Sequence, residues 1–251
     1  PSSHGPWRSV LPGGVIAGHE IGGLFADLLS RVADDLAGFL ARWARPSAGT
    51  RVLEPSCGDG AFFPSLASLA VDANVTAFEL SGEEAEKAER RARHLGLQDF
   101  TVHKGDFLGW ARDAEPGKFD AVLGNPPFIR YQYLPAQFQE NAAAIFARLN
   151  CKFTKHTNAW VPFILASVDL LRPGGRIAMV VPAEIVHVMH AQSLRTYLGQ
   201  ACRRIVIVDP QELWFEGTLQ GAVLLMAEKK RPRPMPMAKA SVSIAFPGGP
   251  F

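Results

Sequence analysis

The sequence predicts an open α/β fold: a doubly wound, mostly parallel sheet of about seven strands whose last strand runs antiparallel. Three observations carry this prediction. Short apolar runs alternate with helical periodicities along most of the chain, the pattern of a sheet covered on both faces. The first four apolar runs each end in a turn of polar, glycine or proline residues, where open parallel sheets hold their ligands. The last two apolar runs follow one another without an intervening helix, which makes them antiparallel neighbours. With 251 residues, 47% hydrophobic and 20% charged, the chain can bury a sizeable core, and the disordered and fibrous classes are excluded.

From Ile21 the apolar residues Leu24, Phe25, Leu28, Leu29, Val32, Leu36, Phe39 and Leu40 recur at helical spacing, so a helix is expected that ends before Pro46. Residues 1–48 therefore read as a helical segment packed on the domain that follows, residues 49–230. In that domain Arg51-Val52-Leu53 is a strand running into Glu54-Pro55-Ser56-Cys57-Gly58-Asp59-Gly60, and Ala61 to Ala70 is a helix. Asn74 to Phe78 is a second strand ending at Glu79. The charged stretch from Gly82 to Leu95 is its helix, with Arg90, Arg91 and Arg93 on a solvated face. Phe100 to His103 ends at Gly105-Asp106-Phe107, and Phe119 to Leu123 ends at Gly124-Asn125-Pro126-Pro127-Phe128. Helices are expected at Ala136 to Leu149 and Ala159 to Leu171. Pro173-Gly174-Gly175 then turns the chain into the strand Arg176 to Val181. A helix from Glu184 to Leu198 and the strands Arg204 to Val208 and Ala222 to Ala227 complete the sheet. The proline-rich stretch from Arg231 to Pro236 cannot continue a helix or a central strand. Residues 231–251 thus read as a linker or the start of a further domain, and the chain as a fragment.

Lysine and arginine total 26 against 24 acidic residues, a net charge of +2, so a polyanionic partner would be held by local patches and not by a global field. Cys57, Cys151 and Cys202 lie far apart with no CxxC or Cys/His ligand spacing, and the histidines show no HxxxH pattern. Neither a disulfide scaffold nor a metal site is expected. No apolar run is long enough to cross a membrane and no signal-peptide order opens the chain, which reads as cytoplasmic.

Chemistry concentrates at the strand ends. The two glycines of Glu54 to Gly60 let a backbone pass close to a ligand and enter a helix, but the turn lacks both GxGxxG and GxxxxGK[ST], which counts against nicotinamide and ATP. Glu54 favours a cationic ligand, and Glu79 can accept from both hydroxyls of a ribose. Asp106 and Phe107 suit an exocyclic amine and the face of an aromatic ring. In Gly124 to Phe128, two prolines lock a turn that presents an amide, carbonyls free to accept, and an aromatic face. Two acceptors on a planar amine would raise electron density on its nitrogen as it attacks, and Asn125 with the Pro126 carbonyl could supply both. Phe128 would stack on the base that bears the amine.

The order EPSCGDGAFF, FEL, GDF and GNPPF resembles the S-adenosylmethionine-dependent amino-methyltransferases, and among them the adenine-N6 DNA methyltransferases of restriction-modification systems. The resemblance runs from about Gly18 to Glu228 and implies a Rossmann-like class I methyltransferase fold. It implies S-adenosylmethionine as cofactor, bound through Glu54, Pro55, Ser56, Cys57, Gly58 and Gly60, then Glu79 and Leu80, then Asp106 and Phe107, and finally Asn125. It implies catalysis at Asn125, Pro126, Pro127 and Phe128. Phe128, Tyr131, Lys155 and Phe215 are expected at the target base or the DNA around it. Arg130, Tyr133, Lys152 and His156 extend that basic and aromatic surround. Two features depart from the family pattern: Ala17 to Gly23 replaces the usual Thr-Pro before the first helix, and few residues follow the last strand where a target-recognition domain is usual. The expected activity is methylation of N6 of a flipped adenine in DNA, with a separate recognition domain or a cognate endonuclease as further partners. The alternatives are methylation of RNA adenine or protein glutamine, or a non-catalytic cofactor-binding or DNA-specificity subunit.

Overall fold

Side-chain alternation along the strands sorts the apolar residues onto two faces of one sheet. The structure, a computed structural model, describes residues 36–70, 72–154, 157–208, 221–231 and 241–245. A helix described over residues 36–44 (α1) precedes strand β1 (Arg51–Glu54) and helix α2 (Phe63–Ala70). Then come β2 (Asn74–Glu79), α3 (Gly82–His94), β3 (Asp99–Lys104), α4 (Phe107–Asp113) and β4 (Phe119–Gly124). Two helices follow, α5 (Ala136–Arg148) and α6 (Trp160–Leu170), before β5 (Leu171–Pro182). Helix α7 (Gln192–Ala201), β6 (Cys202–Val208), β7 (Ala222–Lys229) and β8 (Ser241–Ala245) complete the described elements.

The strand order is β3-β2-β1-β4-β5-β7-β6-β8. Strands β1 to β5 are mutually parallel, whereas β7 inserts antiparallel between β5 and β6, pairing Leu224 with Val180 on one side and with Val208 on the other. The expected doubly wound, mostly parallel sheet with an antiparallel last pair is borne out. Residues 231–251 contain one strand more than expected: the alternating Ser241-Val242-Ser243-Ile244-Ala245 pairs parallel with β6 from Arg204 to Val208.

Leu53, Val122, Ile177, Met179, Val181, Val223 and Leu225 face one way, against residues of α4 to α7. Their chain neighbours Val52, Ala121, Leu123, Ala178, Val180, Leu224 and Met226 face the other, against α1, α2 and α3. The valine, leucine, isoleucine and methionine side chains among them each contribute roughly 1.5–3 kcal/mol of burial, so the two faces drive both layers of helices onto the sheet. In the central helix α6 every residue is buried, and its Pro162 sits in the first turn, where no intrahelical donor is lost.

Two local expectations are corrected. Pro173-Gly174-Gly175 does not precede a strand but forms a bulge inside β5, where the register jumps from Phe119↔Leu171 to Ala121↔Arg176. The bulge needs glycine because Gly174 has φ +79. The helix expected from Glu184 is two short 3-10 turns, Ala183–Val186 and Met189–Ala191, before α7 begins at Gln192. There Arg195 Nη1 donates to the Ile185 and Val188 carbonyls at 3.1 and 2.8 Å, replacing the helical hydrogen bonds.

Candidate active site

The carboxyl ends of β3, β2, β1 and β4 lie side by side in the sheet, and a chain of hydrogen bonds ties their turns together. Gly105 N–H donates to the Glu79 carbonyl at 2.9 Å, joining the β3 turn to β2. Cys57 N–H donates to the Phe78 carbonyl at 2.9 Å and Gly58 N–H to Glu79 Oε2 at 3.0 Å, joining the β1 turn to β2. Ser56 Oγ donates to the Asn125 carbonyl at 3.0 Å, joining the β1 turn to the turn after β4. Four segments far apart in sequence thus form one continuous rim.

In the β1 turn Gly60 has φ +87, and a Cβ there would stand 2.6 Å from Phe63 Cδ2, so close passage of the backbone over the start of α2 requires glycine. Glu54 ends β1 only 1% exposed, and its Oε2 is buried without a hydrogen-bond partner. Burial, with Asp59 and Glu79 close by, pushes its carboxyl well above the usual range. Burial and the same carboxylates also push the Cys57 thiol up, so Cys57 is a packed apolar residue and not a nucleophile. Glu79 is held by backbone donors on both oxygens, from Gly58 to Oε2 and from Ser81 to Oε1 at 2.8 Å. Each oxygen keeps a further lone pair. An unpartnered buried oxygen beside two other carboxylates is chemically suited to a cation, and the oriented Glu79 carboxylate to accepting from paired hydroxyls. This donor set fits the amino acid and ribose portions of S-adenosylmethionine. Leu80 follows Glu79 and is 43% exposed, an apolar surface at the same rim.

Asp106 caps α4: Oδ1 accepts from Leu108 N–H at 2.9 Å, while Oδ2 accepts from Gly109 N–H at 3.0 Å and from Asn141 Nδ2 at 2.9 Å. The Phe107 ring was expected to stack on a ligand, but it is 2% exposed, packed among Phe78, Trp110 and Phe163. Helix α4 begins at Phe107, and its first turn points that ring into the core. Asn141, 3% exposed on α5, was missed from the sequence, and it also receives Arg112 Nη1 at 3.0 Å. The signal was present, since Asn141 falls among Phe138, Ala142 and Ile145 on the apolar face of its helix.

After β4, Asn125 is exposed, Pro126 buried, and Pro127 and Phe128 half-buried. Phe128 packs against the cores on both faces of the sheet and so lies across the end of β4. The turn is anchored downstream by an antiparallel bridge between Arg130 and Asn158 and by Ala159 N–H donating to the Ile129 carbonyl at 2.8 Å. Asn158 Oδ1, on the bridge residue itself, and Trp160 Nε1 are buried without hydrogen-bond partners. Tyr131 opens a 3-10 turn, Tyr131–Tyr133, and Arg130, Tyr133 and Lys152 are exposed. Lys155, His156, Phe215 and the stretch from Ala17 to Gly23 lie outside the described residues. Among the described residues no cluster of His, Cys, Asp or Glu could hold a metal, and no helix is long and apolar enough to cross a membrane.

A model of the Eco57I restriction-modification methylase family matches residues 70–214, more than half of the chain. The chain belongs to that family. Among the relatives of this chain is the Type II methyltransferase M.TthHB8I of Thermus thermophilus, 30% identical over 199 residues that make up 77% of this chain and 43% of the relative. The Type II methyltransferase M.AccI of Acinetobacter calcoaceticus is 25% identical over 177 residues, 70% of this chain and 32% of the relative. The chain thus spans about a third to two fifths of the length of these relatives. A Listeria monocytogenes protein assigned as a class I S-adenosylmethionine-dependent methyltransferase superposes with a TM-score of 0.60 at 18% identity, over 92% of this chain and 68% of the other. The M protein of the type I restriction enzyme EcoKI gives 0.58 at 15% identity, over 78% and 43%. The likeness to these two structures is one of fold: the chain has the class I methyltransferase fold expected from its sequence. S-adenosylmethionine is the cofactor that goes with this family and fold.

Proposed function

We propose that the methylase transfers a methyl group from S-adenosylmethionine to the N6 amine of an adenine flipped out of duplex DNA, as the modification enzyme of a restriction-modification system. The observation that carries this reading is the Ser56–Asn125 hydrogen bond, which couples the turn suited to the cofactor to the turn suited to the amine. The two relatives described above, both Type II methyltransferases, point the same way.

S-adenosylmethionine supplies an electrophilic methyl on a positively charged sulfonium. Glu54 would accept from the ammonium group of the cofactor, which returns a partner to its buried Oε2. Glu79, held rigid by Gly58 and Ser81, would accept from the ribose hydroxyls. Asp106 keeps acceptor capacity on Oδ1 for the cofactor's exocyclic amine, beside the main chain of Phe107. Asn125 Oδ1 and the Pro126 carbonyl would each accept a hydrogen from the target amine. The nitrogen lone pair is then less delocalised into the ring, and attack is in line with a group positioned across the rim. Phe128, backed by both cores, offers a firm face on which the base can stack. No strong general base is needed, because the methylated amine is acidic and loses its proton to these acceptors or to water. Exposed Arg130, Tyr133 and Lys152, with Tyr131, Lys155 and Phe215, are proposed contacts to the DNA.

The test is transfer of labelled methyl from S-adenosylmethionine to duplex DNA of mixed sequence, with nucleoside analysis of the product and with RNA and protein as parallel acceptors. N6-methyladenine in DNA is the expected product. Label in RNA or protein instead would redirect the substrate class, and cofactor binding with no transfer to any acceptor would indicate a non-catalytic subunit. Asn125→Ala should lower turnover by at least about 100-fold with cofactor affinity nearly unchanged, as expected for removal of one oriented polar group. Equal loss of both would overturn its role.

A further inference from the structure

A second polar site lies at the opposite end of the central strands, by the amino ends of β1 and β4. A cleft of about 200 Å³ is lined there by Arg45, Ser47, Thr50, Asp120, Arg172, Gly174, Arg176, Glu228 and Arg231. We propose that this cleft is a phosphate-binding site, separate from the methyl-transfer site and independent of how that site is read.

Charge is the first argument. Asp120 is shared between Arg51 and Arg172, and Glu228 between Arg176 at 3.5 Å and Arg203 at 2.5 Å, so both carboxylates are already doubly paired. Arg45 and Arg231 line the same cleft and have no acidic partner among the described residues. Four guanidiniums therefore line the cleft with two carboxylates, which Arg51 and Arg203 also engage from outside it. Arg45 and Arg231 are exposed at the mouth of the cleft, whereas Arg176 is only 19% exposed, and burial together with Arg45, Arg203 and Arg204 works against its charge. A dianion entering between them removes repulsion that the fold otherwise sustains.

Geometry is the second. Arg45 ends α1 with φ +53, a left-handed conformation uncommon for a residue with a side chain, and its N–H closes the helix on the Ala41 carbonyl at 3.1 Å. Arg231 packs over the β5 bulge so closely that a Cβ on Gly174 would meet its Nε at 2.6 Å. The bulge and the helix end thus bring two cations to one cleft. Between them Ser47 Oγ and Thr50 Oγ1 lie 3.1 Å apart, two hydroxyls suited to the remaining oxygens of a tetrahedral anion. The cleft is smaller than pockets for drug-sized ligands, which run about 300–1,000 Å³, and fits one phosphate group better than a peptide segment. Planar guanidinium forks match phosphate oxygens in pairs, which favours phosphate over a lone carboxylate.

The test is calorimetric titration of the 251-residue chain with inorganic phosphate in a chloride-matched buffer. The wild-type chain is compared with Arg45→Asn/Arg231→Ser, in which asparagine tolerates the left-handed backbone, and with Arg231→Ser alone in case the double variant fails to fold. Phosphate should bind the wild type, about tenfold more weakly the single variant, and still more weakly the double variant, with methyl transfer unchanged. No binding to the wild type, or equal binding to all three, overturns the proposal, as does displacement by an oligoglutamate peptide that binds far more tightly than phosphate. Displacement of phosphate by a short duplex of G·C pairs alone assigns the site to a nucleic-acid backbone. Displacement by a nucleoside triphosphate but not by the duplex assigns it to a free nucleotide.

Discussion

Glu54 shows how one residue sets a balance between stability and binding. Its buried carboxyl, pushed above the usual range, holds a proton in the folded chain that the unfolded chain releases once the pH passes about 4.3. Its contribution to stability is therefore full below that pH and is lost as the pH climbs through the raised value. Glu54→Gln removes this titration. Thermal melting should show the variant more stable than wild type at neutral pH, by about 1–2 kcal/mol, with the difference vanishing near pH 4. Its affinity for S-adenosylmethionine, measured in the same buffers, should fall at least about tenfold. A variant equally stable at every pH would show that the orphaned oxygen carries no cost. At this scale the sequence was informative about position, placing Glu54, Glu79 and Asn125 at the ends of strands β1, β2 and β4. It failed where a side chain's direction depends on its helix, as at Phe107, and where a polar residue serves another, as Asn141 serves Asp106.

Elements are decided by competition between local pattern and backbone geometry. The β1 turn depends on Gly60, so Gly60→Ala should cost about 1–3 kcal/mol in denaturant unfolding, because the methyl meets the Phe63 ring and the backbone must keep φ +87. Displacement of Phe63 also shifts the start of α2, so cofactor affinity should drop with stability. Stability unchanged by this substitution would mean that the turn relaxes freely. The two elements misread from the sequence share one cause. Apolar residues at helical spacing from Glu184 suggested a helix, yet Arg195 reaches back and satisfies the Ile185 and Val188 carbonyls in a different path. Pro173-Gly174-Gly175 signalled a turn, and the turn exists, but β4 pairs on both sides of it and absorbs it as a bulge. Neither long-range partner is visible in a local window.

For the whole molecule the position of β7 matters most. Inserted between β5 and β6 and buried from Ala222 to Glu228, it lies deep in a sheet whose edges are β3 and β8. Hydrogen exchange should therefore be slowest in β5 and β7, which carry ladders on both sides and helices on both faces, and fastest in β3 and β8. Comparable protection in β8 and β7 would contradict this order. By itself the sequence determined the class of fold, the order of strand, turn and helix, and the four strand-end motifs, because periodicity and turn chemistry act over a few residues and leave a local trace. Only the tertiary structure decided which turns touch, that Glu54 keeps an unpaired oxygen, that Phe107 is core, that a strand from residues 231–251 extends the sheet, and that arginines from α1, β5 and the end of β7 meet in one cleft. These depend on pairing and burial between residues tens to more than a hundred positions apart, a separation that no local pattern encodes.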